Sequence, residues 1–256
     1  YALRDVTGTV DSVPLIASSI LSKKLAAGAH AIVLDVKTGS GALMQTLEDS
    51  VELAQAMVRI GTLAGRPILA MVTGMDQPLG THVGNALEVK EAIDILSGRA
   101  DGKSADLREV SMLLGEQMLL AAGAAPSRDE ARRRLEHALE SGAGLEKLRE
   151  MIAAQGGDAR VCDDTGLLPR ARYILPVPAM RDGYVCSMDT TGIGYVAQGL
   201  GAGRARKTDV IDPAVGLVMA VRIGERLCEG EPIAYIHAND EARGRAAVER
   251  MQQLVR

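Results

Sequence analysis

Hydrophobic residues in the first third of the chain predict a strand, a helix and a second strand, in that order. Residues 31–36 and 67–73 contain short apolar runs rich in β-branched side chains, which are typical of buried parallel strands. Between the two runs, apolar side chains recur at helical spacing at Leu47, Val51, Ala54 and Val58. Thr46 precedes this helix, and Asp49 stands three residues later as a capping-box partner. The pattern therefore predicts a right-handed βαβ unit.

Helical spacing of apolar residues returns in five further segments, one before the first strand and four after the second. These segments are residues 12–27, 85–96, 105–122, 127–140 and 144–154. Ser127 and Glu130 form another capping box, and Gly142 is placed to end the helix that they begin. We therefore expect a layer of helices on a parallel sheet.

Beyond Pro176 the pattern changes to short apolar runs separated by proline and glycine. Three of these runs predict strands of a second, strand-rich domain: residues 193–197, 215–221 and 232–237. A polar stretch over residues 159–172 predicts the boundary. The expected fold class is α/β plus α+β.

We expect this fold to comprise three parts in chain order. They are part of a small helical domain at residues 1–27, an incomplete α/β domain with a mostly parallel sheet flanked by helices at residues 28–158, and a strand-rich α+β domain at residues 172–256.

Composition narrows the class of protein. The chain has 29 Lys and Arg against 33 Asp and Glu, whereas a nucleic-acid partner needs concentrated positive charge, so we expect none. No apolar run is long enough to cross a bilayer, so we expect no membrane partner. Three cysteines without paired spacing indicate neither a disulfide framework nor a zinc site, and they favour a reducing cytoplasm. Because Phe and Trp are absent, base stacking on an aromatic platform is not expected.

A small group of polar residues stands near the start of the chain. Arg4 lies in the segment YALRDVT at residues 1–7, and Ser19 and Lys23 follow at positions i and i+4 of the first predicted helix. A guanidinium, a hydroxyl and an ammonium can together hold a small planar ring with two carbonyl groups. Taken alone, Lys23 is more typical of a solvated lysine beside Lys24, and Arg4 of a surface arginine.

A glycine loop, KTGSG at residues 37–41, follows the first predicted strand. The loop after a strand is where α/β sheets gather their ligands, and glycine lets a backbone approach a sugar or phosphate closely. The motif is not a full dinucleotide or P-loop fingerprint, and on its own it is more typical of a tight turn.

The chain resembles the thymidine and pyrimidine-nucleoside phosphorylase family. The YALRDVT segment with Ser19 and Lys23, and the strand with its glycine loop at residues 31–42, match that family in order and spacing. Five further segments follow in the same order, at residues 78–80, 84–89, 188–189, 201–204 and 236–238.

The resemblance implies an activity and a set of site residues. The activity is reversible phosphorolysis of pyrimidine nucleosides, thymidine, uridine or both, to the free base and (deoxy)ribose 1-phosphate. Arg4 and Lys23 are the implied catalytic residues, and Arg4, Ser19 and Lys23 the implied base-binding residues. Inorganic phosphate is the implied co-substrate, and no organic cofactor is expected. The family is dimeric, so a homodimer that binds nucleoside and phosphate is expected.

A potassium ion is a further implication of the resemblance. Some family members bind potassium partly through residues that match Leu79, His82 and Glu91, where the first two contribute backbone carbonyl oxygens. Hard oxygen ligands suit such a cation. Without the resemblance, His82 is interpreted as a loop histidine and Glu91 as a solvated helical residue.

The first residues of the chain resemble the middle of the family's sequences. We therefore expect the chain to lack an N-terminal helical region and a Gly/Ser/Lys-rich phosphate loop. On that expectation it carries the base-binding half of the site, and the 256-residue chain alone is inactive.

Two other functions stay open from the residues alone. An anthranilate-type phosphoribosyltransferase has a related architecture, but its glycine-rich pyrophosphate loop and metal-binding acidic residues are not evident here. A non-catalytic carrier or interaction module is suggested by residues 183–189 and 230–232, which resemble biotinyl and lipoyl carriers. A carrier needs a lysine at its hairpin tip, whereas this chain has Met188, Asp189 and Thr190 there.

Overall fold

The computed structural model describes residues 12–256, which form two compact units. The first unit contains residues 12–75 and Glu109–Leu135, and the second contains Asp76–Arg108 and Glu136–Arg256. The domain boundaries expected from the sequence stay a prediction. Of the helices within residues 12–256, none is both long and apolar enough to cross a lipid bilayer.

The helices are α1 (Val13–Ala26), α2 (Leu47–Leu63), α3 (Asn85–Leu96), α4 (Ala105–Ala121), α5 (Arg128–Glu140), α6 (Ala143–Ala154), α7 (Thr190–Ala197) and α8 (Glu241–Leu254). The strands are β1 (Ile32–Thr38), β2 (Ile68–Gly74), β3 (His82–Val83), β4 (Tyr173–Pro178), β5 (Gly183–Tyr184), β6 (Gly216–Met219), β7 (Arg226–Leu227) and β8 (Pro232–Ala238).

A strand, helix and strand form the centre of the first unit, as the hydrophobic pattern predicts. β1 and β2 pair in parallel, with Ile32 opposite Ile68 at one end and Thr38 opposite Gly74 at the other. Alternate side chains of β1 are buried against α1 and α2, and the shared core includes Ile16, Leu21, Leu34, Leu53 and Met57. The predicted order of elements and the parallel pairing are therefore confirmed.

A buried carboxylate joins α4 to α5. Glu116 is 1% exposed, and its carboxylate accepts hydrogen bonds from Arg128 Nε at 2.7 Å and Arg132 Nη1 at 2.9 Å. Burial alone raises the pKa of Glu116, but the two guanidinium groups outweigh burial and hold the pKa below its usual value. Gly115 lies beside this carboxylate and leaves space for Leu135, whose Cδ1 would be only 2.9 Å from an added Cβ.

An antiparallel sheet of four strands forms the centre of the second unit, in the order β3, β6, β8, β4. Side chains from the sheet and from α7 and α8 share one core, which includes Val177, Leu217, Ile236, Ile193 and Met251. The predicted strands at residues 215–221 and 232–237 are confirmed as β6 and β8. The expected strand-rich C-terminal domain, and with it the α/β plus α+β class, is present.

The predicted strand at residues 193–197 is wrong, because this part of the chain lies in α7. Asp189 caps the helix by accepting a hydrogen bond from the Gly192 amide at 2.8 Å. Buried side chains recur at the spacing of one helix face, at Ile193, Val196, Ala197 and Leu200. An apolar run of five residues is too short to distinguish this spacing from that of a buried strand.

Two glycines allow β3 and β6 to meet at the start of α3. Gly84 has a φ of +140°, and an added Cβ would lie 2.5 Å from the Val215 carbonyl oxygen. Gly216 has a φ of +152°, and its added Cβ would lie 2.1 Å from the Val83 carbonyl oxygen. Neither position has space for a side chain, so the backbones approach directly.

The replacement Glu116→Gln removes the anion that holds Arg128 and Arg132 while it keeps the side-chain size. We expect the free energy of unfolding at pH 7 to fall by about 2–4 kcal/mol, because two guanidinium groups lose their charged acceptor at a buried position. The folded-state pKa of Glu116 is lowered, so its stabilisation is present above the unfolded-state pKa of about 4.3 and is lost as pH falls through the folded-state pKa. Urea unfolding between pH 3 and pH 7 measures both effects.

The matched control for this variant is Glu130→Gln. The Glu130 carboxylate also contacts two arginines, Arg133 and Arg134, but on the exposed surface of α5. Surface ion pairs contribute little, so this variant is expected to unfold almost like the wild type. Equal losses in the two variants would contradict the role of burial.

Candidate functional site

The carboxyl ends of β1 and β2 lie at the same edge of the first unit, where a glycine turn follows β1. The Gly41 amide donates to the Met75 carbonyl at 2.9 Å, and the Met75 amide donates to the Thr38 carbonyl at 2.6 Å. Gly39 has a φ of +115°, a conformation that favours glycine. Residues 39–44 therefore form a tight turn, fixed at the edge where α/β folds bind ligands.

Three polar side chains connect the two strands just before that edge. The Lys37 ammonium lies 2.6 Å from Asp35 Oδ2 and donates to the Thr73 hydroxyl at 2.8 Å. The Thr73 hydroxyl in turn donates to Asp35 Oδ1 at 2.5 Å. The Lys37 and Asp35 side chains are only 23% and 21% exposed, so water competes weakly for these bonds. The network fixes both strand ends and so supports the glycine turn.

α1 carries two of the three predicted base-binding residues. Ser19 and Lys23 lie one helical turn apart and project from one side; Ser19 is half-buried and Lys23 is exposed. The helix buries Ile16, Ala17 and Leu21 in the core, so Ser19 and Lys23 lie at the border of its buried side. The third predicted residue, Arg4, lies outside residues 12–256. The structure thus places Ser19 and Lys23 on one side of α1, and their role in base binding stays a prediction.

Glu91 of α3 is the centre of a buried polar network in the second unit. Its side chain is 3% exposed. Oε1 accepts hydrogen bonds from the Thr81 amide at 2.7 Å, the Thr81 hydroxyl at 2.9 Å and the Ser104 hydroxyl at 2.7 Å, and Oε2 accepts from the His82 amide at 3.2 Å. The interpretation of Glu91 as a solvated helical residue is therefore wrong.

The hydrogen bonds keep this buried carboxyl ionised. Burial alone would raise the pKa of Glu91, but hydrogen bonds from His82, Ser104 and Thr81 outweigh burial and lower the pKa to about 2. Gly80 makes space for the anion, since an added Cβ there would lie 2.2 Å from Glu91 Oε2.

Leu79 lies in a segment whose carbonyl groups face a guanidinium. Arg222 Nη1 donates to the carbonyl oxygens of Pro78 at 2.7 Å and Gly80 at 3.2 Å, and Nη2 donates to that of Leu79 at 3.3 Å. Nη2 also lies 2.6 Å from Asp106 Oδ2. Arg222 is itself buried, at 9% exposure. The Arg222 guanidinium therefore already binds the carbonyl oxygens of residues 78–80.

The residues that the resemblance assigns to potassium do not fit that ion as they are placed. Carbonyl and carboxylate oxygens are suitable donor types. However, the Glu91 carboxylate accepts four hydrogen bonds from the protein, and the Leu79 carbonyl faces Arg222. Within the part of the chain that the structure describes, no group of three or more His, Cys, Asp or Glu side chains is arranged to hold a metal ion.

Sequence reasoning missed the residues that hold Leu79 and Glu91 in place. Thr81 and Ser104 are common residue types with no motif of their own, and Arg222 is more than 140 residues from its carbonyl partners. One signal does exist, because Arg222 directly follows the apolar run at residues 215–221. A charged side chain at the end of a buried strand needs a polar partner, although the sequence does not identify that partner.

Two known protein families match successive parts of this chain. Residues 1–145 match the family described as glycosyl transferase family, a/b domain, and residues 184–256 match the pyrimidine nucleoside phosphorylase C-terminal domain. β1 and β2 lie within the first matched range, and β6 and β8, the two central strands of the antiparallel sheet, lie within the second. The fold and these matches define a glycosyl transferase domain joined to a C-terminal strand-rich domain.

Individual relatives narrow the class to one family. The pyrimidine-nucleoside phosphorylase of Bacillus subtilis (strain 168) is 53% identical over 241 residues, which cover 94% of this chain and 55% of that protein. The pyrimidine-nucleoside phosphorylase of Staphylococcus aureus (strain USA300) is 53% identical over 239 residues, 93% of this chain and 54% of that protein. This chain belongs to the pyrimidine-nucleoside phosphorylase family, as its motifs predict. It spans about half the length of the curated relatives that it matches.

The carrier interpretation loses its structural basis. It places Met188, Asp189 and Thr190 at the tip of an exposed attachment hairpin. In the structure Met188 is buried at 4% exposure and Asp189 is the N-cap of α7. The segment therefore starts a packed helix and offers no exposed attachment point.

The replacement Thr73→Val tests whether the polar network supports the glycine turn. Valine keeps the shape and suits a strand, but it removes the hydroxyl that joins Lys37 to Asp35. We expect the free energy of unfolding to fall by about 1–2 kcal/mol. We also expect faster hydrogen exchange at the Gly41 and Met75 amides, because the strand ends are less constrained.

Thr62→Val is the matched control for that variant. The Thr62 hydroxyl donates to the Val58 carbonyl on the exposed side of α2, so its loss is expected to change stability by less than about 0.5 kcal/mol. Unchanged exchange of both amides in Thr73→Val would show that the turn does not depend on the network.

Proposed function

We propose that the protein containing this chain catalyses the reversible phosphorolysis of pyrimidine nucleosides, thymidine, uridine or both, to the free base and (deoxy)ribose 1-phosphate. One observation carries the proposal: Ser19 and Lys23 share one side of α1 in a chain that is 53% identical to a pyrimidine-nucleoside phosphorylase over 94% of its length. In the proposal this chain supplies the base-binding half of the site, through Arg4, Ser19 and Lys23.

The proposed reaction places new negative charge on the base. A phosphate oxygen forms a bond to the anomeric carbon of the sugar while the bond from that carbon to the base nitrogen breaks. The electron pair of the broken bond stays with the base, so its ring nitrogen and carbonyl oxygens become more negative. The Lys23 ammonium and the Arg4 guanidinium stabilise that charge, and the Ser19 hydroxyl exchanges a hydrogen bond with the ring nitrogen. Because the charge develops in the transition state, these groups lower the barrier.

Inorganic phosphate is the co-substrate in this proposal, and no organic cofactor takes part. Beside the base-binding groups, the edge formed by residues 39–44 faces the sugar or phosphate in this proposal, because glycine lets a ligand approach the backbone closely. Potassium is given no step in the reaction, since the Leu79 carbonyl and the Glu91 carboxylate are engaged by protein donors.

The proposal extends to assembly and location. We propose a homodimer that forms through the small helical domain at residues 1–27, a cytoplasmic location and a role in pyrimidine salvage. The three cysteines Cys162, Cys186 and Cys228 are free thiols, which supports a reducing compartment. The domain limits 28–158 and 172–256 are part of the same proposal. Light scattering of the purified protein tests the dimer.

Lys23→Ala in the full gene product that contains this sequence tests the proposed chemistry. We expect turnover in phosphate-dependent release of thymine from thymidine, or uracil from uridine, to fall about 100- to 1000-fold, since one transition-state donor is lost. Thermal unfolding is expected to be unchanged because Lys23 is exposed. The 256-residue chain alone, assayed in parallel, is expected to be inactive.

Lys147→Ala is the charge-matched control, because Lys147 is an exposed lysine of α6 that pairs with Glu150. Its turnover should equal that of the wild type. Near-normal turnover of Lys23→Ala would remove Lys23 from the mechanism. Base release from a ribonucleoside 5′-phosphate with pyrophosphate, without release from the nucleosides with phosphate, would favour the phosphoribosyltransferase alternative.

A further inference from the structure

The backbone carbonyl groups of residues 78–80 all contact one buried cationic side chain. Three consecutive carbonyl oxygens, those of Pro78, Leu79 and Gly80, lie within 3.3 Å of one guanidinium. Carbonyl oxygens carry partial negative charge, so their convergence is unfavourable unless a cation lies between them. Backbone carbonyl oxygens also bind hard monovalent cations, but here the cation beside them is a side chain.

Arg222 is suited to this role by its shape and its burial. The planar guanidinium offers five N–H donors in a fixed fork, so it can satisfy several acceptors in different directions at once. Arg222 is 9% exposed, and a buried cation without acceptors would be strongly destabilising. Asp106, 2.6 Å away, supplies the compensating negative charge. The buried guanidinium therefore needs the carbonyl oxygens as acceptors, and the carbonyl oxygens need the guanidinium to offset their mutual repulsion.

Neighbouring contacts hold the Arg222 backbone against the same segment. The Gln77 side chain accepts a hydrogen bond from the Ile223 amide at 2.8 Å and donates to Asp106 at 3.3 Å. The Lys103 ammonium donates to the Ala220 carbonyl. Because the backbone on both sides of Arg222 is fixed, the guanidinium cannot easily leave the carbonyl oxygens.

Leu79 contacts Arg222 and is also one of the residues expected to bind potassium. Its carbonyl oxygen is one of the potassium ligands that the family resemblance assigns to this chain, and it accepts a hydrogen bond from Arg222. A potassium ion bound at that oxygen would lie beside a guanidinium and would be repelled by it. The two cations therefore compete for one oxygen.

We propose that Arg222 is the resident cation of residues 78–80 and takes the place of potassium there. Arg222 belongs to the C-terminal domain, and residues 78–82 belong to the glycosyl transferase domain. The guanidinium therefore orders residues 78–82 without a bound metal ion. Potassium then has no specific effect on the stability of the wild-type chain. Removal of the guanidinium leaves carbonyl oxygens and the Asp106 carboxylate that a potassium ion can bind.

Thermal unfolding in KCl, NaCl and choline chloride at equal ionic strength tests this proposal on the full gene product that contains this sequence. We expect the wild-type Tm to be the same in the three salts within about 1 °C. We expect Arg222→Met to have a lower Tm in all three salts and to recover about 3 °C or more in KCl relative to NaCl, because the vacated oxygens bind potassium. Arg222→Lys keeps the charge without the fork and should show a smaller recovery.

Arg226→Met is the matched control, because it removes an exposed arginine from the same part of the chain. It should show no difference between KCl and NaCl. A potassium-specific rise in the wild-type Tm would overturn the proposal, since potassium would then bind with Arg222 in place. A destabilised Arg222→Met that responds equally to the three salts would also overturn it and leave Arg222 as an ordinary packing contact.

The wild-type measurement needs no variant, so it decides the question even if Arg222→Met does not fold. Hydrogen exchange at the Thr81 and His82 amides in KCl and NaCl gives a second readout, and slower exchange in KCl would again argue against the proposal. Both readouts measure stability rather than turnover. Failure of this proposal is therefore distinguishable from failure of the proposed phosphorolysis.

Discussion

Two buried charges of opposite sign act on the backbone of residues 78–82. The Arg222 guanidinium donates hydrogen bonds to the carbonyl oxygens of residues 78–80. The Glu91 carboxylate accepts hydrogen bonds from the amides of Thr81 and His82. Removing either ion from water costs several kcal/mol, so each is tolerated only because this short segment offers it partners. One stretch of peptide groups thus satisfies an anion through its amides and a cation through its carbonyls, and its conformation is determined by both.

The second unit is arranged around that segment. It leads directly into β3, which joins the four-stranded sheet where Gly84 and Gly216 let two backbones meet. Arg222 follows β6, the strand that pairs with β3. The pairing of β3 with β6 and the hydrogen bonds to Arg222 and Glu91 therefore both constrain the backbone of residues 78–82. In the first unit, the network of Asp35, Lys37 and Thr73 fixes the end of the β1 and β2 pair in a similar way.

The sequence predicts those features that depend on neighbours along the chain. The strand, helix and strand at the start follow from hydrophobic spacing, and Thr46 caps α2 through the Asp49 amide, as the capping pattern predicts. Ser19 and Lys23 share a helix side because their spacing is four residues. The prediction of a strand at residues 193–197 is wrong because five apolar residues fit both the helical and the strand spacing. The N-cap at Asp189 favours the helix.

Features that depend on distant residues were not predictable in this way. Glu91 looks like any acidic residue of an amphipathic helix, and only the fold brings Thr81 and Ser104 to its carboxylate. Likewise, nothing near Arg222 in sequence shows that its acceptors are the carbonyl oxygens of residues 78–80. The family resemblance identified Leu79 and Glu91 as important positions, but it did not show that protein donors already occupy their oxygens.

The separation of Arg222 from Pro78 also has a consequence for how the protein is made. The two residues are 144 positions apart. At about 5–20 residues per second, a ribosome needs roughly 7–30 s to synthesise that interval. During that time the glycosyl transferase part of the chain has emerged while residues 78–80 still lack their guanidinium, so this segment stays solvated on the nascent chain. Its final conformation must be acquired late in synthesis, when the C-terminal sheet closes.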